Sequence, residues 1–142
     1  MKTFKLPVRV YYEDTDSGGV VYYANYLKFM ERARTEWLRS LGYEQDVLRE
    51  QRNLLFAVRS AALDFKRPAR FNDLVDVFSE VTQIGGASVT FSQRVELRER
   101  AGLAVSPQAL CVGEIKVVSL SAADFRPCPL PKDLVEEFTR EH

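Results

Sequence analysis

From about Tyr22 onward, Tyr26, Met30, Ala33, Trp37 and Leu41 recur at three- and four-residue steps, while Lys28, Glu31, Arg32, Arg34, Glu36 and Arg39 fill the opposite side. That spacing predicts one long amphipathic helix. Gly42 follows the last apolar position, where a left-handed residue would end the helix. The apolar stripe is wide and aromatic, so whatever else the chain forms must include a broad sheet able to cover it.

The flanking segments supply such a sheet. Residues 4–12 alternate around Val8, Val10 and Tyr12 and read as a first strand. After a polar stretch over 44–52, strands are predicted over 54–65 and 74–84, the second with Val75, Val77 and Val81 on one face. Gly85-Gly86 is expected to make a two-residue hairpin turn of primed type. The next strand carries Val89, Phe91, Val95 and Leu97 on one side and Thr90, Ser92, Arg94, Glu96 and Arg98 on the other. A turn near Ala101-Gly102 leads to a final strand over 109–120, and Pro131 opens a short helix over 132–140. One helix followed by hairpin-capable strands argues for an α+β fold with a mostly antiparallel sheet of five strands, the helix lying across its concave face, and against a doubly wound α/β fold.

With 142 residues, 46% of them hydrophobic, residues 1–142 are expected to form a single domain. Twenty basic residues balance twenty acidic ones, so no global field favours nucleic acid or an anionic membrane. No secretory signal opens the sequence and no stretch is long and apolar enough for a bilayer span. Cys111 and Cys128 match no paired metal spacing. A cytoplasmic, reduced protein is the expectation.

Several catalytic schemes fall away at once. The only histidine is His142, the last residue of the sequence and expected to fray, so no Ser-His or Cys-His pair can be built on it. There is no G-x-S-x-G elbow, P-loop or dinucleotide fingerprint. Chemistry must then rest on a carboxylate, on backbone amides, or on a metal held by oxygen. The most unusual segment is Glu13-Asp14-Thr15-Asp16-Ser17-Gly18-Gly19, which mixes carboxylates with glycines able to turn sharply and expose amides. Read as a calcium loop from Asp14, it has glycine at position six but Asn25 at position twelve, which cannot supply the bidentate carboxylate. Read as the D-x-D of an aspartyl-phosphate enzyme, it lacks the alternating strands and helices of a parallel sheet. A third reading sets Asp16 a few residues before a helix N-terminus whose free amides would receive a thioester oxyanion, with Asp16 as nucleophile or base. The plain alternative is that Asp14 and Asp16 are Asx-turn or capping residues for the helix.

The run from Val8 to Tyr26, VRVYYEDTDSGGVVYYANY, followed by Glu31-Arg32-Ala33-Arg34-Thr35-Glu36, resembles the signature of the 4-hydroxybenzoyl-CoA thioesterase family, nearest to its tol-pal-associated, YbgC-like branch. The likeness extends to Phe65-Lys66-Arg67-Pro68-Ala69-Arg70 and Gln93-Arg94. It implies a hotdog fold, a homodimer commonly paired into a homotetramer, and acyl-CoA sites at subunit interfaces. It also implies hydrolysis without metal or redox cofactor, Asp16 as nucleophile or general base, and the amide of Tyr23 polarising the thioester carbonyl. Tyr12 matches an aromatic position that orients the carboxylate or lines the acyl pocket, and Gly19 belongs to the substrate-binding loop. Many YbgC-like members carry histidine where this chain has Tyr23, so any imidazole role there is lost while a backbone role survives.

Arg67 and Arg70 are candidates for the CoA phosphates, since arginine suits bidentate phosphate contacts, although solvated loop charges would look the same. Ser88 could face the partner subunit's site. Trp37, Met30 and Phe29 read as helix core, and Cys111 as a small buried hydrophobe. Two functions remain: an acyl-CoA thioesterase, or a non-catalytic acyl-CoA or acyl-carrier-protein binding module tied to the tol-pal envelope machinery or to phospholipid synthesis.

Overall fold

The computed structural model describes residues 3–140, so His142 lies outside the described residues. In chain order the elements are β1 (Thr3–Arg9), α1 (Asn25–Ser40), α2 (Gln45–Arg52), β2 (Leu54–Phe65), β3 (Leu74–Ile84), β4 (Ser88–Arg100), β5 (Leu103–Ser121) and α3 (Lys132–Thr139). The strands form one sheet in the order β1-β3-β4-β5-β2, antiparallel at every pairing. Across one face lies α1, which buries Tyr26, Phe29, Met30, Ala33, Trp37 and Leu38 against Val75, Val77, Val95 and Ile115. Each large side chain so buried contributes about 1.5–3 kcal/mol. This long helix wrapped by a curved five-stranded sheet is the hotdog fold.

The sequence dictates the fit in detail. Trp37 lies between Phe4, Phe91 and Phe138, with ring centroids 6.0, 6.0 and 5.3 Å away, so one indole joins β1, β4 and α3. Gly113 of β5 faces the helix, and a Cβ there would come within 3.3 Å of both Met30 and Leu63. Its missing side chain lets the helix settle on the sheet. At the end of α1, Gly42 takes φ +94° while its N–H reaches Arg39 O and that of Tyr43 reaches Leu38 O, the paired bonds of a Schellman stop.

Four expectations need correction. The first strand ends at Arg9 and a 3-10 turn spans Tyr12–Asp14, so Val10 is buried but Tyr12, placed on the same face by alternation, is exposed. The polar stretch 44–52 is largely α2, an amphipathic helix burying only Leu48 and stopped by left-handed Asn53. Neither Gly85 nor Gly86 has positive φ, and β3 joins β4 through residues 85–87; their carbonyls are taken up as Leu130 N–H donates to Gly86 O and Ser119 N–H to Ala87 O. The primed turn sits instead at Ala101 (φ +54°) and Gly102 (φ +77°). Finally, β5 begins at Leu103 rather than near Ala109. Pro107 is tolerated there because β2 pairs with β5 only from Cys111 onward, leaving residues 103–110 at an edge.

A polar latch fastens α3 over the end of the core. Asp133 accepts Tyr43 Oη at 2.7 Å and both terminal nitrogens of Arg52 at 3.1 Å. The Arg52 guanidinium and then the Tyr43 hydroxyl hold the Asp133 carboxyl well below its ordinary value, while burial, with Asp133 second, pushes Tyr43 up to about 12. A carboxylate with depressed pKa stabilises the fold above its unfolded value, near 3.8, and that contribution fades as pH falls through the folded value. Asp133 is half exposed, so solvent keeps the effect near 1 kcal/mol. Asp133→Asn is therefore expected to lower the melting temperature by a few degrees at pH 7 and by clearly less at pH 3, as differential scanning calorimetry would register.

Candidate active site

Beyond β1 the chain folds back on itself twice. Asp14 is buried: its Oδ2 accepts Tyr11 N–H at 2.9 Å, and its carbonyl accepts Tyr22 N–H at 2.9 Å and Asn25 Nδ2 at 2.8 Å. The carbonyl thus ties the loop to the first residues of α1, and Asp14 is a structural carboxylate. Asp16 differs. It stands exposed at the corner of a tight hairpin, with Asp16 N–H to Val20 O at 2.9 Å, Gly19 N–H to Asp16 O at 3.0 Å, and the arms joined at Thr15 and Val21. Gly19 has φ +80°, which a side chain would strain. One carboxylate oxygen, Oδ1, accepts Gly18 N–H at 2.8 Å in an Asx turn. No described residue is bonded to Oδ2.

The chain then runs through Tyr22, Tyr23 and Ala24 into α1. Among the described residues, the N–H groups of Tyr23 and Ala24 donate to no protein acceptor, whereas those of Tyr22 and Asn25 are both used. Two free amides at the positive end of a sixteen-residue helix make a site suited to an oxyanion. The Tyr23 ring is 61% exposed, packing at 4.8 Å on Tyr22 and edge-on at 6.0 Å on Phe65. Its hydroxyl raises the pKa of Tyr22 above the ordinary phenol value. A cleft of about 240 Å³ opens between Val21, Tyr23, Tyr26, Phe65 and Pro68.

The loop between β2 and β3 forms the second wall, held in place by polar contacts. Val21 N–H donates to Ala69 O at 2.8 Å and Phe71 N–H to Gly19 O at 3.2 Å, while Ala69 N–H donates to the buried Tyr26 hydroxyl at 3.0 Å. Burial raises the Tyr26 pKa, so its phenol stays neutral. Asp73, 1% exposed, accepts Arg70 N–H at 2.8 Å and both Arg100 Nε (3.1 Å) and Nη2 (2.8 Å), while its carbonyl accepts Val10 N–H. These bonds fix the segment that carries Arg67 and Arg70.

Asp16 and Gly19 thus share the hairpin, Tyr23 follows it at the entry to α1, and the loop that carries Arg67 and Arg70 is bridged to the hairpin between Val20 and Arg70; Arg67 Nη1 donates to Gln108 at 3.2 Å. Tyr12 is near in the chain but 75% exposed, its ring stacked on Phe71 at 3.8 Å, and its side chain makes no hydrogen bond to Asp16. Ser88 lies at the other end of the sheet: the ten residue steps of β3 from Leu74 to Ile84 span about 34 Å. Its side chain sits against Gly85, on the sheet face opposite to Val89. Asn25, Tyr26 and Asp73 escaped the sequence reading as site residues. Asn25 follows a loop of known turn chemistry and could have been suspected, but nothing local marks Tyr26 or Asp73, whose partners lie 43 and 27 residues away.

A hotdog fold with an exposed loop carboxylate beside a free helix N-terminus defines the class, and comparison places the chain within it. Residues 18–104 match the thioesterase superfamily. The chain belongs to that superfamily, in its YbgC-like branch: it is 42% identical over 135 residues to the acyl-CoA thioesterase YbgC of Haemophilus influenzae, covering 95% of this chain and 93% of that protein. Among solved structures, a probable thioesterase from Bartonella henselae is 29% identical with a TM-score of 0.80, covering 92% of this chain and 100% of that one. A 4-hydroxybenzoyl CoA thioesterase superposes with a TM-score of 0.88 over 98% of this chain and 100% of that one; at 16% identity it speaks for the fold alone.

Proposed function

We propose that the chain hydrolyses acyl-CoA thioesters to a free acid and CoA, with Asp16 as nucleophile or general base and the amide of Tyr23 as oxyanion donor. The observation that carries this reading is the pair of unclaimed N–H groups at Tyr23 and Ala24, directly after the hairpin that presents Asp16. A thioester carbonyl oxygen gains negative charge as its carbon is attacked, and fixed N–H groups bind that charge more strongly than they bind the ground state. Asp16, with Oδ2 open, either attacks the carbonyl carbon or takes a proton from water that attacks it. The C–S bond then breaks, and the CoA thiolate leaves without needing a strong acid. On the general-base route this gives the free acid directly, whereas on the nucleophilic route it leaves an Asp16–acyl anhydride that a water molecule hydrolyses to release the acid and restore the carboxylate. Arg67 and Arg70 suit the CoA phosphates, and Gly19 keeps the approach clear because nothing lies within 4 Å of where its Cβ would be.

The working unit in this reading is a dimer or a pair of dimers. β2 is an edge strand of twelve residues, and Val58 (52% exposed) and Phe65 (48%) open its helix-side face to solvent. Long apolar edges of this kind pair with another strand. Antiparallel pairing of residues 58–65 with their own copy sets Phe65, which touches Tyr23 and Tyr26, opposite Val58 of the partner subunit. Each Asp16 hairpin would then be completed by a neighbour.

The test is release of free CoA thiol from short, long and aromatic acyl-CoAs. Turnover of at least one class at micromolar enzyme, well above the uncatalysed rate, is the expected result. Tight CoA binding with no thiol released from any of them would instead describe an acyl-CoA binding module.

A further inference from the structure

Arg34 projects from the second half of α1 and is partly buried, yet no carboxylate lies within 4.0 Å of it among the described residues. Its one hydrogen bond runs from Nη1 to Gln93 Oε1 at 2.9 Å. Gln93 cannot turn to offer more, because its Nε2 is committed to Met30 O at 2.9 Å and Ser79 Oγ at 2.7 Å. A guanidinium has five N–H donors, so among the described residues most of the donors of this partly buried cation have no protein partner. Burial accordingly lowers its pKa, opposed only by the field of Glu31.

The same side chain lines a cavity of about 120 Å³ between α1, β2, β4, β5 and α3. Phe56, Val58, Val89, Phe91 and Phe138 wall it with apolar surface, and the polar groups gather on the α1 side. There Thr35 Oγ1 donates to Glu31 at 3.2 Å and accepts Gln45 Nε2 at 3.0 Å. An apolar chamber with a few convergent polar groups at one end is the usual form of a small-molecule site. At roughly 30 Å³ per water-sized group, it holds about four such groups.

Val58 connects the two ends of the molecule. It borders this cavity, and the β2 pairing proposed above sets it opposite Phe65 of the partner subunit, the residue that flanks Tyr23. We infer that the cavity of one protomer receives the far end of the acyl group cleaved at the partner's Asp16 loop, and that Arg34 selects acyl groups bearing an oxygen acceptor there, either an ω-carboxylate or an ω-hydroxyl. This rests on the thioesterase reading and names its substrate class: short acyl chains with a distal oxygen. A carboxylate would take two guanidinium N–H groups. A hydroxyl would accept from Arg34 and donate to Glu31, which keeps the charge balanced.

The experiment compares kcat/KM for glutaryl-CoA, 5-hydroxyvaleryl-CoA and valeryl-CoA, which share a five-carbon acyl chain. At least one oxygenated substrate is expected to exceed valeryl-CoA by roughly 10- to 100-fold, the range of a hydrogen bond to a buried charge. The two oxygenated arms tell carboxylate from hydroxyl. In Arg34→Met the ratio should collapse towards one, and in Arg34→Lys part of it should return. All three substrates are read in the same preparation, so partial unfolding of a variant cancels from each ratio. A native ratio near or below one overturns the inference, as does a preference that survives Arg34→Met; in both cases valeryl-CoA hydrolysis leaves the thioesterase reading standing. Thiol release from no acyl-CoA at all ends both.

Discussion

Asp16→Asn is expected to reduce kcat/KM for every acyl-CoA that the native protein cleaves by at least about 100-fold, the scale of a lost general base or nucleophile. The variant is informative because the two roles of this side chain separate. Its Oδ1 closes the Asx turn onto Gly18 N–H, and an asparagine carbonyl accepts that bond equally well. The hairpin, its bridge between Thr15 and Val21 and the free amides at Tyr23 and Ala24 should therefore persist, and the melting temperature should stay within a degree or two. What asparagine cannot do is take a proton or attack a carbonyl. Undiminished turnover in a folded variant would return Asp16 to the plain role of a turn residue and leave the loop without its chemistry. The neighbouring Asp14 makes a useful contrast. It is buried on Tyr11 N–H, so Asp14→Ala should cost about 1–3 kcal/mol of stability by leaving that donor unmet.

How much of this could be read from the residues follows from how local each cause is. The stripe Tyr26, Met30, Ala33, Trp37 on α1 and the alternation on β4 are periodic over many residues, and they declared both elements and the α+β class. Gly42 was legible as a helix stop because positive φ has a local signature. The same logic failed at Gly85-Gly86, where carbonyl partners from Leu130 and Ser119 decide the loop, and those contacts are distant in sequence. It also failed at Tyr12, since alternation cannot tell where a strand stops and a 3-10 turn begins. The polar residues of α2 bury only Leu48, too little apolar signal to reveal a helix of eight residues. At the candidate site, Asp16, Gly19 and Tyr23 lay within one loop and its helix, so the motif contained them. Asp73 and Tyr26, which fix the opposite wall, work through Arg100 and Ala69, and Arg34 gains interest only because Gln93, 59 residues on, takes just one of its donors.

Ala61→Lys is expected to split the dimer and, with it, most of the activity. Ala61 is exposed on the free edge strand β2, on the face shared with Val58 and Phe65, and contacts in its own chain do not depend on a methyl group there. In the antiparallel pairing of residues 58–65 with their copy, the bulge between Val58 and Ser60 takes up one residue, so Val58 opposite Phe65 sets Ala61 opposite Leu63 and puts the two-fold axis at Ala62. Two lysines at position 61 would then lie diagonally across the axis on one face of the sheet, about 7–8 Å apart and within reach of each other, where like charges repel. The apparent mass in sedimentation velocity should therefore halve at micromolar protein, while the far-ultraviolet circular dichroism stays that of the native fold. Turnover should fall at least about 10-fold, because Asp16 would keep its hairpin and its amides but lose the neighbouring wall that positions the acyl group. Adding Ala61→Glu chains to the lysine variant supplies the opposite charge, and recovery of both mass and turnover in the mixture would locate the contact at this edge. A monomeric Ala61→Lys with full activity would mean that one chain holds a complete site. A lysine variant that remains dimeric would move the interface away from β2.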